Sequence, residues 1–303
     1  MAKKLSIGTW AYAFGPYANN PVPFDTVVRT LGKLGFDGVE IGAFRPHIHP
    51  DDYPMCCDRT KVRNLCKVNE LEVSGVAVDF WFAPPPGSDE SLKGDSYVNL
   101  FKKNLQLTLD LGGPSIRVDT VAGPEEGPKG VDRKTAIKRI VELWRQCSSI
   151  AESHGVKVIW EFEPGFFLNK PSEVLQLVND VNHPNFSVLF DTCHAYMCAV
   201  SGARQAGTKE TLKGGVAEFA RLLKGKIGHL HVIDCDGSLN EHGTSTHNPF
   251  GEGKINFDEA LSAAVHDAGY KGDWFTIDLC FWPEAWQVTE RAQKFLAPYL
   301  AKY

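Results

Sequence analysis

Eight short apolar runs recur along this chain, and a longer polar or amphipathic stretch separates each from the next. The runs are Leu5–Thr9, Gly38–Gly42, Glu72–Val78, Ser115–Asp119, Lys157–Glu161, Phe186–Asp191, Gly228–Ile233 and Trp274–Leu279. Each is rich in β-branched or aromatic residues, as a strand covered on both faces of a parallel sheet should be. Helical periodicity fills most of the intervals. Phe24–Leu34 carries Val27, Val28 and Leu31 on one face, and Tyr97–Leu111, Arg133–His154, Ser172–Val181, Leu212–Leu223, Phe257–Ala268 and Glu284–Leu300 behave likewise. Asp25, Asp58, Asp132, Ser172 and Asp258 stand near helix starts, where side-chain oxygens satisfy free N–H groups. Eight units in 303 residues take about 38 each, which suits a closed (β/α)8 barrel. An open doubly wound sheet is the rival, but no GxGxxG follows the first run. With no Gly/Ser- or Pro-rich linker to divide the chain, residues 1–303 are expected to form a single α/β domain, a (β/α)8 TIM barrel.

Charge removes several classes of function. Lys+Arg 32 against Asp+Glu 37 gives a net charge of -5. That balance disfavours nucleic acid and anionic membrane surfaces as partners. No run approaches the ~18 apolar residues of a membrane span, and Gly8, Pro16 and Pro21 interrupt any signal-peptide core. The cysteines, Cys56, Cys57, Cys66, Cys147, Cys193, Cys198, Cys235 and Cys280, are scattered and include no CxxC. Reduced, mostly buried thiols in a cytoplasmic protein are the expectation.

In such a barrel the functional groups sit at the C-terminal strand ends. The last four runs close in VIWEFEPG, VLFDTCHAY, HLHVIDCDG and FTIDLCFWPEAW. Glu161, Asp191, His231 and Asp278 stand there, on four successive strands. A lone carboxylate at a strand end is commonly a helix cap or half of a surface ion pair. Four such groups in successive units point instead to a site for one divalent metal ion: manganese first, with magnesium, cobalt or zinc as alternatives.

These segments, with LGFDGVEIG near the second strand and FGEGKINFDEAL before the eighth, carry a resemblance over nearly the whole chain. The sequence resembles the xylose isomerase-like TIM barrel superfamily, the sugar phosphate isomerase/epimerase group. The resemblance implies metal ligands at Glu161, Asp191, His231 and Asp278. The family usually has Glu at the last position, and this chain has Asp, one methylene shorter. Glu163 competes with Glu161 for the fifth-strand place, since alternation directs both to one side; Glu161 is preferred because it ends the apolar run. In related ketose epimerases the first and last acids also move the proton, which implies catalytic roles for Glu161 and Asp278. His194 resembles the family's substrate-binding histidine, or else holds Asp191 from behind. Trp10, Arg117 and Glu163 are further expected substrate contacts. The alternative reading of Glu40, Asp79 and Arg117 is a polar layer paired within the barrel. Gly237 stands about where related epimerases have arginine, which argues against a sugar phosphate or a free ketose of the usual kind; with no Arg/Lys cluster or Gly-rich helix start to hold a phosphate, an unphosphorylated substrate is expected.

The implied chemistry is that of a divalent-metal-dependent sugar isomerase or epimerase, abstracting a proton next to a carbonyl through a metal-stabilised enediolate. The alternative on the same metal site is a lyase or dehydratase acting on a keto-sugar, keto-inositol or 3-oxo-glycoside, C-glycoside cleavage included. An apurinic-site endonuclease shares the superfamily, but here the third strand ends in Asp79 rather than His, and the charge is unfavourable. A non-catalytic binding barrel is the remaining class. Three loops after strands are long: FWFAPPPGSDESLKGDS, AYMCAVSGARQAGTKET and DCDGSLNEHGTSTHNPFGEG. Long loops of this kind shape or cover a site. FWFAPPP is read as holding a hydrophobic aglycone, meeting a neighbouring subunit or packing rigidly. His242 and His247 are read as surface histidines. Phe281, Trp282 and Trp286 hint at a homo-oligomer.

Overall fold

The computed structural model describes residues 2–125 and 127–303. Its strands are β1 (Lys4–Ile7), β2 (Gly38–Ala43), β3 (Glu72–Val78), β4 (Ser115–Val118), β5 (Lys157–Glu161), β6 (Phe186–Asp191), β7 (Ile227–Val232) and β8 (Trp274–Ile277). All eight expected runs are therefore strands. They pair in parallel in the order β1-β8-β7-β6-β5-β4-β3-β2, and the parallel bridge Gly8–Glu40 links the two ends. The result is a nearly closed (β/α)8 barrel.

Alternate strand residues face opposite ways, and the two faces differ in chemistry. Outward residues pack against the helices. Trp144, from the helix Arg133–Glu152, lies 5.5 Å from both Trp160 and Phe186. Phe162 and Phe190 close on Phe219 of the helix Gly215–Leu222. Many inward residues are polar. A chain of hydrogen bonds crosses the barrel from Ser6 to Thr276 (2.7 Å), Thr276 to His229 (3.1 Å) and His229 to Glu40 (2.9 Å). The core is thus the ring between sheet and helices, and a hydrogen-bonded polar layer crosses the barrel axis.

The helices depart from expectation in detail. Cys56–Val68 is an additional helix, burying little besides Arg59, Val62 and Cys66; so thin an apolar stripe gives weak periodicity. The helix expected from Leu212 starts at Gly215. Phe257–Ser262 runs into a π-helical turn at Ala263–Asp267, and Asn256 rather than Asp258 caps it. Asp132 caps its helix by accepting the N–H of Thr135. No helix among the described residues is long and apolar enough to cross a membrane.

Loop 234–253 crosses the mouth, and Asp234 gathers its two ends. Asp234 is buried and accepts the backbone N–H groups of Cys235 (2.8 Å), Gly251 (2.9 Å), Gly253 (3.0 Å) and Ile255 (3.1 Å). A Cβ on Gly253 would lie 2.2 Å from Asp234 Oδ1, so the close approach requires glycine. Antiparallel bridges Asp234–Asn248 and Leu239–Ser245 fold the loop back on itself. Asp234→Ala strands several of these donors and should cost about 3 kcal/mol, seen as a lower denaturant midpoint; an unchanged midpoint would show that the clasp adds no stability.

Candidate metal and substrate site

The strand ends gather the four expected side chains at one point. Glu161, Asp191, His231 and Asp278 are all buried, and one ligand-type atom from each lies within 4.8 Å of the others. Each atom is placed by a neighbour. Asp191 Oδ1 accepts the His194 N–H at 2.6 Å and so caps the short helix Thr192–Tyr196, leaving Oδ2 buried without a partner. Arg117 donates to Glu161 Oε2 at 2.7 Å and reaches Asp119 at 3.3 Å. The Trp10 indole N–H donates to Asp278 Oδ1 at 2.6 Å. That reach depends on Gly8, because a Cβ there would lie 2.1 Å from the indole ring.

His231 is oriented from beneath. Its Nε2 lies 3.1 Å from Glu40 Oε2, which also meets His229 Nε2. With its proton on Nε2, the imidazole turns Nδ1 towards the three acids, and a carboxylate behind a histidine fixes a metal-ligating tautomer in this way. Nδ1 stands 2.9 Å from Glu161 Oε1, yet neither atom forms an aligned hydrogen bond. Burial lowers the His231 imidazole, but Glu40 and Glu161 outweigh it and raise it well above its usual range, so a cation at Nδ1 would take the place of a proton.

The electrostatics express a surplus of negative charge. Glu40, Asp119, Glu161, Glu163, Asp191 and Asp278 are all buried around the mouth. Burial, then Asp278, pushes the Asp191 carboxyl up to about 8, against the pull of His247. Burial likewise raises Asp119 to about 7, although Arg117 opposes it. For Glu161 burial is outweighed by Arg117 and His231, and for Asp278 by His247 and His231, so both carboxyls are held low. Three acids, an imidazole and partnerless buried oxygens fit a divalent cation, which would reverse the pressure on Asp191.

Above this floor opens a cavity of about 740 Å³. Trp10, Arg117, Glu163 and His194, the expected substrate contacts, all line it together with Glu161 and Asp278. Their partners refine the picture. Trp10 and Arg117 are bonded to the acids. Glu163 lies outside the group of four and accepts the Thr244 hydroxyl, and burial pushes its carboxyl up to about 8. His194 holds Asp191 through its backbone, whereas its imidazole Nδ1 meets Ser245 at 2.8 Å.

His247 corrects the expectation of a surface residue. It is 4% exposed, lines the cavity, lies 3.4 Å from Asp278 Oδ2 and has no hydrogen bond on either ring nitrogen. Nothing near it in sequence announces this, because the Asp234 clasp carries it inward. His242 is exposed but also lines the cavity. Glu40 joins His229 and His231 across the barrel, while Asp79, half-buried, accepts the Trp81 N–H at 3.1 Å. The C-terminal aromatics are partly spoken for: Phe281 lines the cavity and Trp286 stacks on Tyr12.

Eight parallel strands with a carboxylate–imidazole cluster at their C-terminal ends define a (β/α)8 barrel able to hold a divalent cation. The chain belongs to the xylose isomerase-like TIM barrel family, whose model matches residues 28–298. It is 24% identical over 261 residues to D-psicose 3-epimerase of Ruminiclostridium cellulolyticum, covering 81% of this chain and 74% of that one. It is 22% identical over 258 residues to 3-dehydroshikimate dehydratase of Bacillus anthracis, covering 84% and 86%. In fold it matches the IOLI protein with a binding zinc atom, with a TM-score of 0.73, 20% identity and 99% of each chain covered.

The Glu40–His231 contact carries a prediction. Glu40→Gln should weaken Mn²⁺ binding by about 10–100-fold, measured by competition with a chromophoric chelator. Unchanged affinity would remove Glu40 from that role.

Proposed function

We propose that the protein is a divalent-metal-dependent isomerase or epimerase of an unphosphorylated sugar, acting by proton transfer next to a carbonyl. The observation that carries this reading is the convergence of Glu161, Asp191, His231 and Asp278 at the strand ends, with Glu161 and Asp278 opening on the cavity. The similarity to a D-psicose 3-epimerase supports it. A divalent ion held by these four, manganese by preference, supplies a Lewis acid for a carbonyl and its neighbouring hydroxyl.

The chain's own groups do the rest. Glu161 and Asp278 come from β5 and the end of β8, three strands apart, and so approach a bound sugar from different sides. Glu161 is the first base. Arg117 occupies its Oε2 and leaves Oε1 without a hydrogen bond. Asp278, steadied by Trp10, is the acid that returns or exchanges the proton. His194 and Glu163 bind sugar hydroxyls, and Trp10 walls the reacting end. Unpaired cysteines throughout suit a reducing, cytoplasmic setting.

A specific feature favours one second reading. Glu163 adds a buried carboxyl beside the four, placed to assist departure of a β-substituent, as a dehydratase or lyase requires; the similarity to a 3-dehydroshikimate dehydratase accords with it. Incubation of keto-sugars in heavy water separates the two. Deuterium gained at carbon with the skeleton intact is expected, whereas release of water or an aglycone sinks the isomerase reading.

Two further outcomes are expected in the same assay. Glu161→Gln and Asp278→Asn should each slow deuterium incorporation by about 10²–10⁴-fold, followed by NMR. Dialysis against a chelator should abolish incorporation and added Mn²⁺ restore it; activity that survives complete metal removal contradicts the metal role.

A further inference from the structure

The cavity has two chemically different halves, and the proposed sugar chemistry uses only one. Its polar half lies over β5 to β8. Its other half follows β8, β1, β2 and β3 and presents Phe281, Phe14, Phe44, Trp81 and Phe82. We propose that this second half is a subsite for a flat apolar group, an aryl substituent carried by the keto-sugar whose carbonyl lies over the acids. The proposal rests on the reading of the polar half given above.

Several observations point to a ligand. Phe82 is 95% exposed and Trp81 54% exposed. Such contiguous apolar exposure marks a binding surface, and here it forms walls of the same cavity as Glu161 and Asp278. The walls are also built for a ring. Phe14 meets Phe44 edge-on at 5.6 Å and lies nearly parallel to Phe281 at 6.5 Å. Phe281 sits in the left-handed region at φ 59, a conformation a bulky residue rarely adopts and one that clusters at ligand sites. Gly15 accommodates it, since a Cβ there would lie 2.8 Å from Phe281 Cα. Charged groups on this side are already engaged. Arg45 pairs with Asp52 at 2.8 Å, Lys103 with Asp51, and Asp79 with the Trp81 N–H. A volume of about 740 Å³ falls among clefts for drug-sized ligands, well above what a free hexose needs.

A matched pair of probes tests this: D-fructose and 1-deoxy-1-(phenylamino)-D-fructose, the same ketose without and with an aryl group. Binding to the Mn²⁺-loaded protein is measured by calorimetry, and deuterium incorporation is read on the same samples. The aryl ketose should bind about tenfold more tightly. The double variant W81A/F82A, both sites being exposed, should narrow the ratio to about twofold or less while metal content and circular dichroism match wild type. Equal affinities in the wild type overturn the proposal, as does a ratio that survives the double substitution. A change of oligomeric state in W81A/F82A with the ratio intact assigns the patch to a subunit interface and likewise overturns it. Incorporation without aryl preference removes the subsite and leaves the isomerase reading. Aryl preference without incorporation upholds the subsite and removes that reading.

Discussion

Buried negative charge is the condition around which this barrel mouth is arranged. A carboxylate taken out of water is costly unless it is paired or hydrogen-bonded, and here several crowd one end of the axis. The strands bring them there unavoidably, because parallel strands closed into a barrel direct all their C-terminal ends to one opening. Each acid then recruits a donor: Trp10 for Asp278, Arg117 for Glu161, the His194 backbone for Asp191. What is left over, Glu161 Oε1, Asp191 Oδ2 and His231 Nδ1, forms no aligned hydrogen bond among the described residues. The repulsion is relieved either by a retained proton, as on Asp191, or by a cation, and the unpartnered atoms of three acids and an imidazole suit a cation.

The layer beneath explains how the cluster keeps its geometry. Ser6, Thr276, His229 and Glu40 form a hydrogen-bonded plug across the barrel. Burial works against ionisation of Glu40, but His231 and His229 outweigh it and hold the carboxylate charged. Glu40 therefore serves two ends. It satisfies the polar interior, and it presents His231 in one orientation to the layer above. Pre-set ligands of this kind avoid reorganisation when a substrate arrives.

How far the sequence discloses this differs by residue. The strands are legible because doubly covered strands leave continuous apolar runs, and Glu161, Asp191, His231 and Asp278 are legible as polar endings to those runs. The family resemblance adds their joint meaning. Glu40 is visible as a strand residue, but its partners are not, since β2 meets β7 only across the closed barrel. His247 lies in a polar loop whose path is set by the four N–H groups on Asp234, a long-range clasp without a periodic signature. The helix Cys56–Val68 escapes notice because so few of its side chains enter the core.

Asp278 shows how a local substitution is absorbed by its surroundings. The Trp10 indole lies 5.8 Å from the His231 ring and donates to the Asp278 carboxylate. Gly8 makes that approach feasible by presenting no Cβ to the ring. The position of the carboxylate is thus set jointly by Gly8, Trp10 and Asp278. Trp10 also lines the cavity, so the side chain that anchors this carboxylate is at the same time a flat apolar wall of the pocket. In this barrel the last acid and the width of the pocket beside it are one structural decision.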